Sequence, residues 1–120
     1  MTNKMFQARL GAICYLIWGL LHLKAAQVVY VLGAGMVQGR LYQDAWNLLC
    51  FAVTAMALSL TLNWRNHVWG YWINLGVISV ADLGFIFFVL VPGYIDLIPG
   101  ILGPVFWILG WLLTSLAYPR

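Results

Sequence analysis

The chain has 120 residues, of which 64% are hydrophobic and only 8% are charged, and its formal net charge is +3. A water-soluble domain of this size needs far more charge on its surface, so the composition excludes that class and indicates a membrane protein. The positive charge is small and scattered, and it gives no indication of a nucleic-acid partner.

Four apolar segments of about 20 residues or more divide the chain. We predict helices over residues 6–32, 42–62, 68–91 and 99–118. The connections between them are short, so consecutive helices are expected to run in opposite directions. Because lipid offers no hydrogen-bond partners to the backbone, the sequence predicts an all-α fold. We expect a single domain over 1–120, an integral membrane antiparallel four-helix bundle.

The first predicted helix carries two basic side chains, His22 and Lys24, deep within its apolar length. Lys24 interrupts the apolar core that a cleaved signal peptide would need, so we expect this helix to be retained. Trp18 also lies near the middle of the segment, away from the interfaces where tryptophan is usually found. The helix is predicted to end at the glycine-rich turn 33–35.

The second predicted helix begins with a polar stripe. Its first members are Arg40, Gln43, Asp44 and Asn47, at positions i, i+3, i+4 and i+7, which share one helical face. Thr54 continues the stripe further along the helix. We expect a polar funnel that opens outward through Arg40, Gln43 and Asn47. The simpler interpretation of Arg40 and Asp44 is a solvated helix start.

The third predicted helix contains a carboxylate, Asp82, in the middle of the apolar run 73–91. Placing a charged group at the centre of a membrane helix costs about 3 kcal/mol on insertion scales. Such residues are therefore candidates for function, with Asn74 as a polar companion nearer the cytoplasmic end. The fourth predicted helix contributes Trp107 near mid-span, and we expect Trp107 and Trp18 to form apolar walls of a pocket.

The ionisable residues of the first and third predicted helices are expected at a similar depth in the membrane. His22 and Asp82 each lie ten residues, about 15 Å, before the outer ends of their helices, and Lys24 lies about 12 Å before its own. His22 and Lys24 are separated by about 200° around the helix axis, so only one of them can face Asp82. Lys24 can extend its flexible chain to the interface, which makes His22 the better candidate for the interior.

The basic residues predict the orientation of the helices. By the positive-inside rule, both termini and the middle loop of this multi-pass protein are expected in the cytoplasm. The cytoplasmic side would carry Lys4, Arg9, Arg65 and Arg120, and the outer side Arg40 with Asp44 and Asp96.

Polar groups converging within one half of a small bundle predict a small membrane-embedded enzyme. Asp82 and His22 are the predicted catalytic pair, performing acid–base chemistry such as isomerisation, cyclisation or hydrolytic ring-opening on a lipophilic substrate. The residue spacing implies no metal site and no external cofactor. The predicted substrate-binding residues are Arg40, Gln43, Asn47, Asn74, Trp18, Trp107 and Lys24.

Two other functions fit the same residues. One is a small homo-oligomeric transporter or channel driven by protonation of Asp82, and the other is a membrane assembly subunit that pairs through Lys24 or Asp82. Purely structural roles are also open: Asp82 as the counter-ion of Lys24, and His22 as an interhelical hydrogen-bond donor. Small multidrug transporters have a similar length, but they depend on a glutamate and this chain has none.

Overall fold

The computed structural model describes residues 3–32 and 34–119, and every regular element within them is a helix. Gly33 and Arg120, which the sequence assigns to the first turn and to the cytoplasmic charges, lie outside the described residues. The elements are α1 (Asn3–Tyr30), α2 (Gly35–Leu58) with a π-helical turn (Ser59–Asn63), α3 (Val68–Phe85) with a π-helical turn (Ile86–Leu90), α4 (Leu97–Gly100) and α5 (Leu102–Ala117).

Three helical segments are long and apolar enough to cross a membrane: Asn3–Tyr30, Gly35–Asn63 and Val68–Leu90. α5 is apolar but shorter, with 16 residues. Large hydrophobic side chains cover the outside of these helices, and Phe88, for example, is 76% exposed. Water would oppose so much exposed apolar surface, whereas lipid accepts it. The prediction of an all-helical fold is confirmed for the described residues, and the three long apolar helices support the prediction of a membrane protein.

Three helix starts differ from the prediction, and α1, which begins at Asn3 rather than at residue 6, differs least. α2 begins at Gly35 rather than at residue 42, because positions 35–41 include no helix-breaking proline and their polar residues tolerate a helix. Gly35 has a φ of +62°, which turns the chain sharply into α2. The predicted segment 99–118 is divided at Ile101 into α4 and α5, since Pro104 has no backbone N–H to donate to the carbonyl oxygen of Gly100.

α1 and α5 pack closely because glycine occupies the contact on both helices. A Cβ atom on Gly11 would lie 2.5 Å from Cγ2 of Thr114, and one on Gly110 would lie 2.5 Å from Cε1 of Tyr15. Near the other end of this pair, Gly103 of α5 adjoins His22 of α1. Sequence numbers rise on one helix as they fall on the other, so the two helices run in opposite directions.

α2 packs against α1 and α3 through small residues as well. Gly19 of α1 lies against the backbone of Ala52, and Gly70 of α3 lies against Leu62 at the end of α2. Small residues let helix backbones approach within a membrane, where van der Waals contact replaces the hydrophobic effect as the cause of association. The resulting core consists of Tyr15, Trp18, Ala55 and Ile78.

Candidate functional site

Asp82 is completely buried, and two side chains of α1 contact its carboxyl group. The indole N–H of Trp18 donates a hydrogen bond of 2.9 Å to Oδ1. Nε2 of His22 lies 3.5 Å from the same oxygen. The comparison of depths predicts this proximity of His22 and Asp82, and the structure places Trp18 beside them as a third member.

The spacing of Trp18 and His22 explains how α1 presents both groups to α3. Residues four apart lie on the same helical face. The indole and imidazole rings are stacked, with centroids 3.8 Å apart and planes inclined by 21°. Nδ1 of His22 is 2.9 Å from the backbone carbonyl oxygen of Trp18. These contacts fix the imidazole ring, so that Nε2 faces Asp82.

The contacts of His22 determine where its hydrogen atoms lie. A carbonyl oxygen only accepts hydrogen bonds, so Nδ1 must carry a hydrogen that it donates to Trp18. A neutral imidazole then has an acceptor at Nε2, which faces a carboxylate that also only accepts. One proton, on Nε2 or on Asp82, turns this repulsive contact into an attractive one. A proton on either side chain would therefore make this 3.5 Å contact favourable.

The second carboxyl oxygen of Asp82 is available for other contacts. Oδ2 is buried and has no hydrogen-bond partner among the described residues. A buried polar atom without a partner costs about 1–3 kcal/mol. Oδ1, by contrast, is held by Trp18. The two oxygens of this carboxyl group therefore have different surroundings.

Lys24 lies on a different face of α1 from His22. Its side chain is exposed, and its ammonium group donates a hydrogen bond of 2.9 Å to Oε1 of Gln27. The question of which basic residue faces Asp82 is thereby answered in favour of His22. The role of Asp82 as a counter-ion of Lys24 is not supported, because Asp82 contacts Trp18 and His22 instead.

A cavity of about 790 Å³ lies beside this pair, between α1, α2, α3 and the segment 94–104. Apolar residues from these segments form most of its wall, and His22 reaches it from α1. Its volume falls in the range of small-molecule sites, which are mostly apolar with a few polar groups. The other polar side chains that line it are Lys24, Asp44, Asn47 and Tyr94.

Asp82 lies directly behind one glycine of the cavity wall. Gly103 lines the cavity, and a Cβ atom at this position would be 3.2 Å from Cε1 of His22 and 3.9 Å from Oδ1 of Asp82. The missing side chain leaves the imidazole and the carboxyl group adjacent to the cavity. The sequence analysis does not identify Gly103, although the pair Gly103-Pro104 early in an apolar helix is a visible irregularity.

The polar stripe of α2 is only partly used by the cavity. Asp44 and Asn47 line it, whereas Arg40 donates a hydrogen bond of 3.1 Å to Gln43 and both of these side chains are exposed. Arg40 lies seven residues, about 10 Å along the axis, from Asn47. The structure therefore does not bring Arg40 and Gln43 to the cavity, since their side chains bond to each other and are exposed.

Asn74 belongs to a different polar cluster. It lies eight residues, about 12 Å along α3, from Asp82. Its side-chain N–H group is 3.1 Å from Oγ of Ser59 and 3.1 Å from Oδ1 of Asn63, and 3.2 Å from the carbonyl oxygen of Ala55. These contacts join α3 to the π-helical turn that follows α2. The structure places Asn74 in the helix packing and not beside Asp82.

The two mid-span tryptophans are hydrogen-bond donors and not cavity walls. Trp18 is fully buried and is committed to Asp82. Trp107 donates a hydrogen bond of 3.0 Å to Oγ of Ser79 and packs against the core. The expectation of apolar walls is corrected here, because an indole N–H buried in an apolar interior requires an acceptor. Apolar side chains such as Phe51 and Phe85 form the wall instead.

Within the described residues, no group of three or more His, Cys, Asp or Glu side chains is placed to hold a metal ion. Comparison of the chain with protein-family models, with curated proteins and with solved structures finds no match. The candidate site is thus defined by its geometry: a buried carboxyl group, an oriented imidazole and an adjacent apolar cavity.

Proposed function

We propose that α1, α2, α3 and α5 form an antiparallel four-helix bundle in a membrane, with both termini on the cytoplasmic side. The opposite directions of α1 and α5 support this arrangement, as does the apolar exterior. The Arg9 guanidinium lies 5.1 Å from the ring centre of Trp64, which brings the start of α1 to the end of α2. Lys4, Arg9 and Arg65 then share the side that the positive-inside rule assigns to the cytoplasm.

We further propose that this bundle is a small enzyme that performs acid–base chemistry on a lipophilic molecule held in the cavity. One observation carries the proposal: Asp82 is fully buried within a single chain, with Oδ1 held by Trp18 and Oδ2 unpaired among the described residues. A transporter that works as a homo-oligomer would be expected to place Asp82 on a surface shared between copies. Its enclosure within one chain supports an enzyme over that alternative.

A proton shared by His22 and Asp82 would give the pair both functions that an isomerase needs, those of a proton donor and a proton acceptor. The pair donates its proton to one carbon of a substrate double bond, and a carbocation forms at the neighbouring carbon. The emptied pair then removes a proton from the carbon beyond, so the double bond moves and the pair regains one proton. In a cyclisation, ring closure takes place between these two transfers. In hydrolytic ring-opening, the pair protonates the leaving oxygen and then takes a proton from the attacking water.

The two members of the pair and two neighbouring side chains have different roles in this chemistry. His22 contacts the cavity and is the group nearest a bound substrate. Asp82 balances the charge of the imidazolium, and a low-dielectric surrounding strengthens that interaction. Trp18 holds the carboxyl group in one rotation, and Asn47 offers an amide to an oxygen atom of the substrate. Proton transfer by positioned groups of this kind increases a reaction rate by a factor of about 10²–10⁴.

The substitution Asp82→Asn tests the proposal. The purified protein in lipid nanodiscs is incubated with a total membrane lipid extract, and all lipids are compared by mass and retention time. We expect the wild type to convert one lipid class into a product that Asp82→Asn does not form. Asp96→Asn is the matched control, because Asp96 is an exposed carboxylate outside the cavity. Equal conversion by wild type and Asp82→Asn would eliminate the proposed role of the carboxyl group.

A further inference from the structure

A second depression, of about 460 Å³, lies on the outside of the molecule between α2 and α3. Its lining residues are Asn47, Cys50, Phe51, Thr54 and Val77, and we call it the α2–α3 groove. Asn47 and Phe51 also line the cavity beside His22. The groove and the cavity therefore adjoin each other along the same two side chains.

Among the described residues, the hydrogen bonds that join α3 to α2 and its π-helical turn lie near one end of the helix pair. Gly70 packs on Leu62, and Asn74 bonds to Ser59 and Asn63, all near the π-helical turn after α2. Toward the other end of α3 the two helices line the groove and the cavity instead of each other. An opening between them is the result.

The groove has the dimensions and chemistry of a site for a hydrocarbon chain. Residues 47–54 span about 10 Å along α2, which is no more than the width of one helix. A second helix crossing there would insert only one or two side chains, whereas a lipid chain can lie along the groove. The lining carries no charged residue. The groove also lies near the middle of Gly35–Asn63, at the depth of acyl chains if this segment spans the membrane.

We infer that the α2–α3 groove holds the hydrocarbon chain of the substrate, which enters sideways from the bilayer with its reactive end in the cavity. This inference rests on the proposed function. It names the substrate class as a single-chain lipid, linear or isoprenoid, with a neutral oxygen or a double bond near His22. The amide of Asn47, at the junction of groove and cavity, is placed to bind such an oxygen.

A photoreactive lipid tests the inference without knowledge of the natural substrate. The probe is oleyl alcohol with a diazirine in its chain, added to the protein in phosphatidylcholine vesicles and irradiated. Peptide mass spectrometry then locates the adducts. We expect them at residues 47–54 of α2 and around Val77 of α3. Adducts spread evenly over the exposed apolar side chains would overturn the inference.

Two substitutions of similar residues distinguish the groove from the rest of the surface. Thr54→Trp fills the groove and should abolish the adducts there. Val53→Trp is the matched control, since Val53 has a similar size, is 54% exposed and does not line the groove. Cys50→Trp repeats the test one turn away. Adducts that persist in both groove-filling variants would also contradict the inference.

The remaining outcomes separate the occupant of the groove from the chemistry at Asp82. In a Cys14→Ala background, disulfide dimers through Cys50 at low protein-to-lipid ratio would show that a second copy covers the groove, which overturns the inference. Groove adducts should persist in Asp82→Asn, which loses only turnover. Groove adducts without any Asp82-dependent turnover would refute the proposed function alone. Asp82-dependent turnover without groove adducts would refute the chain-binding role alone.

Discussion

Trp18 and Asp82 lie 64 positions apart in the sequence, and a hydrogen bond of 2.9 Å joins the indole N–H to the carboxyl group. Both side chains are completely buried. The bond links α1 to α3 across the interior and leaves Oδ2 as the unpaired oxygen among the described residues. It therefore connects the stability of the helix packing to the chemistry proposed for the site.

Removal of the indole donor is the first test of this relationship. Trp18→Phe keeps an aromatic ring but leaves both oxygens of Asp82 without this N–H donor. We expect the free energy of unfolding to fall by about 1–3 kcal/mol, the cost of a buried polar group that loses its partner. Denaturant unfolding followed by circular dichroism measures the change. Trp107→Phe, which loses a bond to the half-buried Ser79, is the comparison and should cost less. Equal losses would contradict this assignment.

The contact between His22 and Asp82 predicts energetic coupling. Side-chain hydrogen bonds in membrane proteins average about 0.6 kcal/mol in double-mutant cycles. A pair that shares one proton in a low-dielectric interior should exceed that average, and we expect about 1–2 kcal/mol. The cycle compares His22→Ala, Asp82→Ala and the double variant by unfolding in detergent. Additive effects of the two substitutions would show that the 3.5 Å approach carries no interaction.

Gly103 lines the cavity and lies next to both His22 and Asp82. Its replacement by alanine would put a methyl group 3.2 Å from the imidazole and 3.9 Å from Oδ1 of Asp82. We expect Gly103→Ala to fold and to lose about tenfold to a hundredfold of turnover, because small displacements of reacting groups have effects of that size. Gly76→Ala is the control, since a Cβ atom there meets nothing within 4 Å. Turnover of Gly103→Ala equal to that of the control would exclude this role.

Helix packing makes a separate prediction at Gly110. A methyl group at this position would lie 2.5 Å from the ring of Tyr15, which is fully buried and has no room to move aside. We expect Gly110→Ala to reduce the free energy of unfolding by about 1–3 kcal/mol through overpacking. Gly84→Ala, with open space around its Cβ, should change it little. Thermal unfolding of both variants provides the measurement, and similar melting temperatures would contradict the close packing of α1 and α5.

Much of the helical content could be predicted from the sequence, because an apolar segment of membrane length must satisfy its backbone hydrogen bonds internally, as a helix does. Counting residues inward from the helix ends places His22 and Asp82 at one depth, since both helices keep a constant rise. The orientation of Lys24 away from the pair follows from its angular separation from His22. These results need only the geometry of single helices.

The remaining features depend on how helices pack, which single-helix geometry does not supply. The bond from Trp18 to Asp82 requires the rotation of α1 relative to α3. Arg40 and Gln43 share a face with Asn47 by their spacing, but the helix packing brings Asp44 and Asn47 to the cavity and leaves Arg40 and Gln43 exposed. Asn74 is a polar residue in the same apolar helix as Asp82, which makes it a candidate for the site. Its side-chain amide instead donates hydrogen bonds to Ser59 and Asn63. Gly103 acts through the absence of a side chain, which no polar pattern reveals.

Solvent deuterium tests the central claim, proton exchange between the Asp82–His22 pair and a lipid, most directly. The wild type and Asp82→Asn are incubated in D₂O with the membrane lipid extract, and the lipids are returned to ordinary water so that only carbon-bound deuterium remains. Mass spectrometry then counts the label in every lipid. We predict that one single-chain lipid class gains deuterium with the wild type and with Asp96→Asn, but not with Asp82→Asn. Lipids that contain no carbon-bound deuterium after incubation with the folded wild type, or as much with Asp82→Asn, would contradict isomerisation and cyclisation by this pair.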